Sequence, residues 1–144
     1  MSLMLRPSDI YYSQSSISNH FSSPFVQIGE TLDDLCEGRL SVYDIDSITV
    51  TKYNGRWITW DNRRLWVFRQ LERLDKCRKI PVVQTTSVPY FRLTSKCDGH
   101  DIKVRGEPGG RWYNRSSFAV VKTILTGLGI GALLLAAVIK FLDM

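Results

Sequence analysis

Patterns that mark several common protein classes are missing from this chain. The first dozen residues, MSLMLRPSDIYY, contain no apolar stretch typical of a secretory signal, and an early Asp9 with sparse arginine argues against a transit peptide. Cysteine is scarce, because Cys36, Cys77 and Cys97 are the only three and none lies close to another. This usage fits a reducing compartment better than a disulfide-rich secreted domain.

Recognisable catalytic and metal-binding patterns are missing too. No Ser-His-Asp or Cys-His arrangement has a familiar spacing, and no glycine-rich phosphate loop follows a predicted strand. Cys97 and His100 lie close together, but a structural zinc site needs a complete tetrahedral set of ligands. We therefore interpret 97–100 as a polar turn and predict no metal, no cofactor and no catalysis.

What the chain does have is a long apolar run near its C-terminal end. Residues 118–139 read FAVVKTILTGLGIGALLLAAVI, where only Lys122, Thr123 and Thr126 are polar. A helix needs about 20 apolar residues to cross the hydrocarbon core of a bilayer. Lys122 lies near one end and can reach the interface, so we predict a transmembrane helix over 118–140. The alternative, a buried helix of a soluble domain, requires a larger chain around it.

Two glycines of this run lie one helical turn apart. Gly127 and Gly131 form a G-x-x-x-G pattern, which leaves one helix face open to close approach by another helix. We expect membrane-helix packing at this face. The alternative is a span that merely tolerates glycine, as many do.

The chain is basic, with 19 Lys and Arg against 14 Asp and Glu. Positive residues before a membrane span favour the negative side of the membrane and contact anionic lipid headgroups. We expect lipid headgroups, and no nucleic acid, as partners of this basic segment. Its basic residues are Arg105, Arg111, Arg115 and Lys122.

Periodicity divides the rest of the chain into short elements. We predict an irregular N-terminal arm over 1–27, an α+β head over 28–105 and a basic Gly/Pro linker over 106–117. Apolar spacing predicts a helix near 29–37. Asn54-Gly55 between alternating residues predicts a hairpin, followed by a helix that Asp61 caps and that runs to about residue 75. Strands are predicted at 80–84 and, more weakly, at 90–93 and 102–104.

This order of elements resembles the ParB/sulfiredoxin-like superfamily over about residues 6–85. There, a strand and hairpin lead to a G-E-R-R or G-C-H-R box that opens a helix, and an I-P-x strand follows. The resemblance implies a small α+β fold whose box faces nucleotide phosphates in ParB-like members. The segments that carry it are Ile48-Thr49-Val50, Asn54-Gly55-Arg56-Trp57, Asp61-Asn62-Arg63-Arg64-Leu65 and Ile80-Pro81-Val82.

The box of this chain departs from the family pattern at its chemical positions. Asn62 stands where sulfiredoxin has a catalytic cysteine and ParB a glutamate, and a carboxamide cannot act as a nucleophile. Asp61 replaces the glycine and opposes an incoming phosphate. Asn62, Arg63 and Arg64 remain candidates for an anion or nucleotide site at a helix start. The alternative is that the arginines pair with Asp61, Glu37 or Asp44, or contact a partner.

These observations predict a non-catalytic accessory or assembly subunit of a multi-subunit membrane complex. We expect the mitochondrial inner membrane, in a complex of the respiratory-chain or ATP-synthase type, with the head in the matrix. One alternative is a membrane-tethered, ParB-like enzyme that binds or hydrolyses nucleotides. Another is a tail-anchored adaptor of the endoplasmic reticulum or outer mitochondrial membrane that faces the cytosol.

Overall fold

A computed structural model of the chain describes residues 3–87 and 98–116. These residues have mixed α+β structure, as predicted, with the helices α1 (Ile28–Cys36) and α2 (Asn62–Arg73). Short 3-10 helices cover Pro7–Asp9, Val42–Asp44 and Trp112–Asn114. The strands are β1 (Leu3–Leu5), β2 (Ile10–Tyr12), β3 (Ser16–Ser18), β4 (His20–Ser22), β5 (Phe25–Gln27), β6 (Ile48–Tyr53), β7 (Arg56–Thr59), β8 (Ile80–Gln84) and β9 (Lys103–Arg105).

The central sheet has five strands in the order β1-β8-β6-β7-β2. β6 and β7 form the predicted antiparallel hairpin, and Asn54 and Gly55 at its turn have φ angles of 51° and 76°. Asparagine and glycine tolerate this left-handed conformation, so the local sequence accounts for the turn. β8 covers the predicted residues and pairs in parallel with β6.

The N-terminal segment is not an irregular arm, which corrects the prediction for residues 3–27. β1 pairs with β8 and β2 with β7, so this segment supplies both edge strands of the central sheet. Ile10 is fully buried and Tyr12 nearly so. Strands of three residues are too short for alternation to show in a sequence. Their pairing depends on partners far along the chain.

The two helices pack against each other, and both predictions of a helix are confirmed. Ile28 and Leu32 bury one face of α1, while exposed Glu30 accepts a hydrogen bond from the Gln27 N–H at the helix start (3.1 Å). Together with the central sheet, the helices enclose an apolar core. Its members include Ile10, Ile28, Leu32, Ile48, Val50, Leu65, Phe68, Leu71, Ile80 and Val82.

The segment predicted as a linker is attached to the head as far as Arg115. The Gly29 N–H donates to the Pro108 carbonyl (2.8 Å), and the Asp33 carboxylate accepts the N–H groups of Arg111 and Trp112 (both 2.9 Å). A Cβ on Gly29 would lie 1.8 Å from the Gly109 oxygen, so only glycine permits this approach. The head therefore extends beyond residue 105. The sequence of the segment did not predict this attachment, because its partners, Gly29 and Asp33, lie far away on α1.

The weak strand predicted at 102–104 is present as β9, which pairs in parallel with β3. The strand predicted at 90–93 lies outside the described residues. So do the predicted span over 118–140 and its glycines Gly127 and Gly131. Neither helix in 3–87 or 98–116 combines the length and apolarity needed to cross a bilayer.

Candidate functional site at the start of α2

The hairpin delivers the chain directly into the start of α2. Thr59 at the end of β7 is fully buried, and its hydroxyl donates to the Thr49 carbonyl (2.7 Å) and accepts the Asp61 N–H (3.1 Å). Asp61 occupies the position before the first helical residue, but its side chain does not cap the helix. The carboxylate instead accepts the Thr49 N–H (2.7 Å), which corrects the predicted capping role.

Asn62 is a buried structural residue. Its side-chain oxygen accepts the Ser13 N–H (3.0 Å), and its amide donates to Ser13 Oγ (3.0 Å) and the Trp60 carbonyl (3.3 Å). Asn62 and Ser13 are 3% and 1% exposed. The carboxamide therefore satisfies the backbone that follows β2, and three of its four hydrogen-bonding positions are occupied by the protein.

Arg63 also binds the head itself. Its guanidinium donates to the His20 carbonyl (2.8 Å) and lies 5.9 Å from the centre of the Phe21 ring. Both partners belong to β4, so Arg63 fastens the small β4–β5 ribbon to the start of α2.

Arg64 follows the predicted alternative of a local ion pair. It binds the Asp61 carboxylate (2.7 Å) and donates to the carbonyls of Asp46 (2.7 Å) and Ser47 (3.2 Å). Glu37 and Asp44, the other predicted acidic partners, are engaged elsewhere: Glu37 with Arg39 and Arg111, and Asp44 with the Ser41 N–H. Arg64 thus ties the loop before β6 to α2.

A polar cleft of about 350 Å³ remains beside these residues. Two arginines face it, Arg63 and Arg105, and the indole Nε1 of Trp60 is buried without a hydrogen-bond partner in the described part of the chain. Charge and donors of this kind suit an anion. The lining contains no Asp, Glu, His or Cys to act as an acid, base or nucleophile. Its residues are Gln14, Ile17, Ser18, Trp60, Asn62, Arg63 and Arg105.

One Ser-His contact, which the sequence analysis did not single out, borders this cleft. His20 Nδ1 lies 3.1 Å from Ser18 Oγ and 3.0 Å from Asn19 Oδ1. Asn19 Oδ1 can only accept a hydrogen bond, so this contact places a proton on Nδ1. Nδ1 then cannot take the Ser18 proton, and the hydroxyl donates to the His20 carbonyl (3.3 Å). The contact stabilises a turn and does not form a nucleophile with its base.

None of the groups whose pKa burial clearly raises lines this cleft. Burial raises the pKa of Cys36 and of Cys77 to about 11, which keeps both thiols protonated and unreactive at neutral pH. Burial also raises the pKa of Tyr12, although the Arg69 guanidinium lies 4.5 Å from its ring centre and opposes the shift. The described residues contain no cluster of three or more His, Cys, Asp or Glu that could hold a metal ion. His100 packs against the Tyr11 ring instead.

The basic residues predicted to meet lipid do not form one patch. Arg105 ends β9 and lines the cleft beside the start of α2, where it donates to Ser16 Oγ (2.7 Å). Arg115 lies at the other end of α2, where its carbonyl accepts a hydrogen bond from Arg73 (2.5 Å). α2 has 12 residues, so its ends are about 17 Å apart. Lys122 lies outside the described residues.

Comparisons with protein families, with characterised proteins and with solved structures found no match.

Proposed function

We propose that this protein is a non-catalytic accessory or assembly subunit of a multi-subunit membrane complex, anchored by one C-terminal span. The supporting observation is that the residues predicted to bind an anion form hydrogen bonds within the head instead. Asn62, Arg63 and Arg64 each bind other parts of the head, through 3, 1 and 3 hydrogen-bonded partner groups respectively. The side chains at the positions that resemble the ParB/sulfiredoxin-like box thus hold parts of the head together.

Exposed aromatic residues support the role of a subunit. Phe25 at the tip of the β4–β5 ribbon is 72% exposed, and Tyr43 is 73% exposed. Aromatic residues are enriched where proteins contact each other and lose little conformational freedom on binding. We assign these two side chains to contacts with other subunits.

The proposed location is the mitochondrial inner membrane, with the head in the matrix. Support comes from the basic residues before the apolar run and from the reducing-compartment use of cysteine. Protease protection in intact and opened organelles tests this topology. A head that is cleaved in intact mitochondria favours the tail-anchored adaptor of the outer membrane.

Purification of the full chain in mild detergent, with identification of co-migrating chains, tests the subunit role. Gly127→Leu with Gly131→Leu fills the proposed packing face and prevents the close approach of a partner helix. We expect normal insertion and reduced co-migration with the complex on a native gel. Gly129→Leu is the matched control, because position 129 of the predicted helix is two residues from each glycine and so belongs to the opposite face. A wild-type chain that migrates as a small monomer contradicts the proposal.

The cleft that Arg63 and Arg105 line favours a second candidate, a membrane-tethered nucleotide-binding protein. Calorimetry with CTP and ATP separates the two. We expect no heat of binding at millimolar nucleotide, because Asp61 places a carboxylate at the helix start. Micromolar binding that Arg63→Ala abolishes supports the second candidate instead.

A further inference from the structure

Residues 113–115, near the end of the second described segment, are bound to the C-terminal end of α2. Arg73 in the last turn of α2 donates to the carbonyls of Tyr113 (2.9 Å) and Arg115 (2.5 Å). On α1, Asp33 accepts the N–H groups of Arg111 and Trp112. Two helices therefore fix the direction in which residues 113–116 leave the head.

An aromatic residue and two cations cluster at this exit. The Arg115 guanidinium lies 3.8 Å from the Trp112 ring centre, and the Lys76 ammonium lies 5.2 Å from it. The indole Nε1 donates to Glu37 (3.1 Å), which orients the ring. We call Lys76, Trp112 and Arg115 the exit cluster.

Neither cation of the exit cluster has an acidic partner in the part of the chain that the structure describes. Among the described residues, no carboxylate forms an ion pair with Lys76 or Arg115, whereas Arg111 pairs with Glu37. The residue before Lys76 is a carboxylate, Asp75, and the exposed turn after Lys76 carries two more cations. These cations are Arg78 and Lys79.

The apolar run begins so close to the exit cluster that the two cannot be far apart in space. Phe118 is three residues beyond Arg115, and three residues span at most about 11 Å. If the run crosses a bilayer, as the proposed function holds, the exit cluster lies at the membrane surface. Tryptophan prefers this interface, and lysine and arginine there attract anionic headgroups.

We propose that the exit cluster binds the anionic headgroups of phospholipids and so sets the orientation of the head on the membrane. This proposal rests on the proposed membrane anchor. It assigns the lipid contact to Lys76 on the head, 39 residues before Arg115 in the chain, and removes Arg105 and Arg111 from the predicted set. Arg105 faces the cleft at the other end of α2, and Arg111 is neutralised by Glu37.

The test uses the full chain in vesicles of phosphatidylcholine, with or without one third phosphatidylserine, and lipids brominated near the headgroup as quenchers of tryptophan fluorescence. We expect stronger quenching in the anionic vesicles, and Trp112→Phe should remove this difference. Trp57→Phe is the matched control, because the Trp57 ring also lies under a lysine, Lys52, at 4.8 Å, but on the hairpin.

Charge variants measure the contribution of each cation. The quenching reports how many heads lie against the membrane surface (docked) and how many do not (undocked). Lys76→Gln and Arg115→Gln should each lower the ratio of docked to undocked heads about 5-fold in anionic vesicles. Neither should change this ratio in pure phosphatidylcholine, and Lys52→Gln should have no effect in either lipid. Quenching that is equal in both lipids and in all variants overturns the proposal. So does hydrogen exchange showing 112–116 covered by a partner chain in the detergent-purified complex.

Failure of the proposed membrane anchor is distinguishable from failure of this inference. Extraction of the full chain from the vesicles by alkaline carbonate shows that there is no span, and the proposed function then fails with it. A chain that stays embedded, with Trp112 insensitive to anionic lipid, refutes the exit cluster alone.

Discussion

Replacement of Asn62 by alanine separates a structural role from a ligand-binding one. The substitution removes an acceptor from the Ser13 N–H and a donor from both Ser13 Oγ and the Trp60 carbonyl. Ser13 is 1% exposed, so water does not replace the lost partners without local opening. A buried polar group left without its partner costs about 1–3 kcal/mol. With the small cavity added, we expect the free energy of unfolding to fall by about 2–4 kcal/mol.

The measurement is a urea titration of the full chain in mild detergent, followed by tryptophan fluorescence. Hydrogen exchange at the Ser13 amide gives a local reading of the same loss. Gln14→Ala is the matched control, because its side chain lines the same cleft at the surface, and it should change stability by less than about 0.5 kcal/mol. Asn62→Asp keeps the acceptor but places a buried carboxylate against the Trp60 carbonyl, so at neutral pH it should destabilise the head at least as much as Asn62→Ala.

A different outcome refutes the reasoning. If Asn62→Ala unfolds at the same urea concentration as the native chain, and the Ser13 amide exchanges no faster, the Asn62 side chain is not needed to satisfy the backbone that follows β2. It would then be free for a ligand, and the nucleotide-binding alternative would gain support.

Two further predictions concern the attachment of the C-terminal segment and the half-buried thiols of Cys36 and Cys77. Gly29→Ala should destabilise the head by about 2 kcal/mol, because the new Cβ would meet the Gly109 carbonyl. A rise in the thermal midpoint contradicts the close packing. The raised pKa of about 11 for Cys36 and Cys77 means that the folded state favours the thiol, so stability is full below pH 9.0 and falls as pH rises through 11. In a Cys97→Ser background, alkylation should be slow at pH 8 and rise steeply towards pH 11, and rapid reaction at neutral pH contradicts the burial.

The secondary structure near strong local signals follows from the sequence, because those signals act between neighbours in the chain. The Asn54-Gly55 turn depends on the backbone freedom of two residues, and α1 depends on apolar spacing within nine residues. The boundaries of the domains could not be predicted from such local signals. β1 and β2 are three residues long and find partners in β8 and β7, so nothing within 1–27 reveals them.

By itself, the sequence determined the hairpin, α1, α2 and β8, and it identified the positions of Asn62, Arg63 and Arg64 at a helix start. Only the tertiary structure decided what those side chains do. Asn62 meets Ser13 across a separation of 49 residues, and Arg63 meets His20 across 43. Such partners are brought together by the pairing of β2 with β7 and by the docking of the β4–β5 ribbon. Side chains that the sequence presents as available to an anion are therefore bound in the structure to backbone groups of the protein itself.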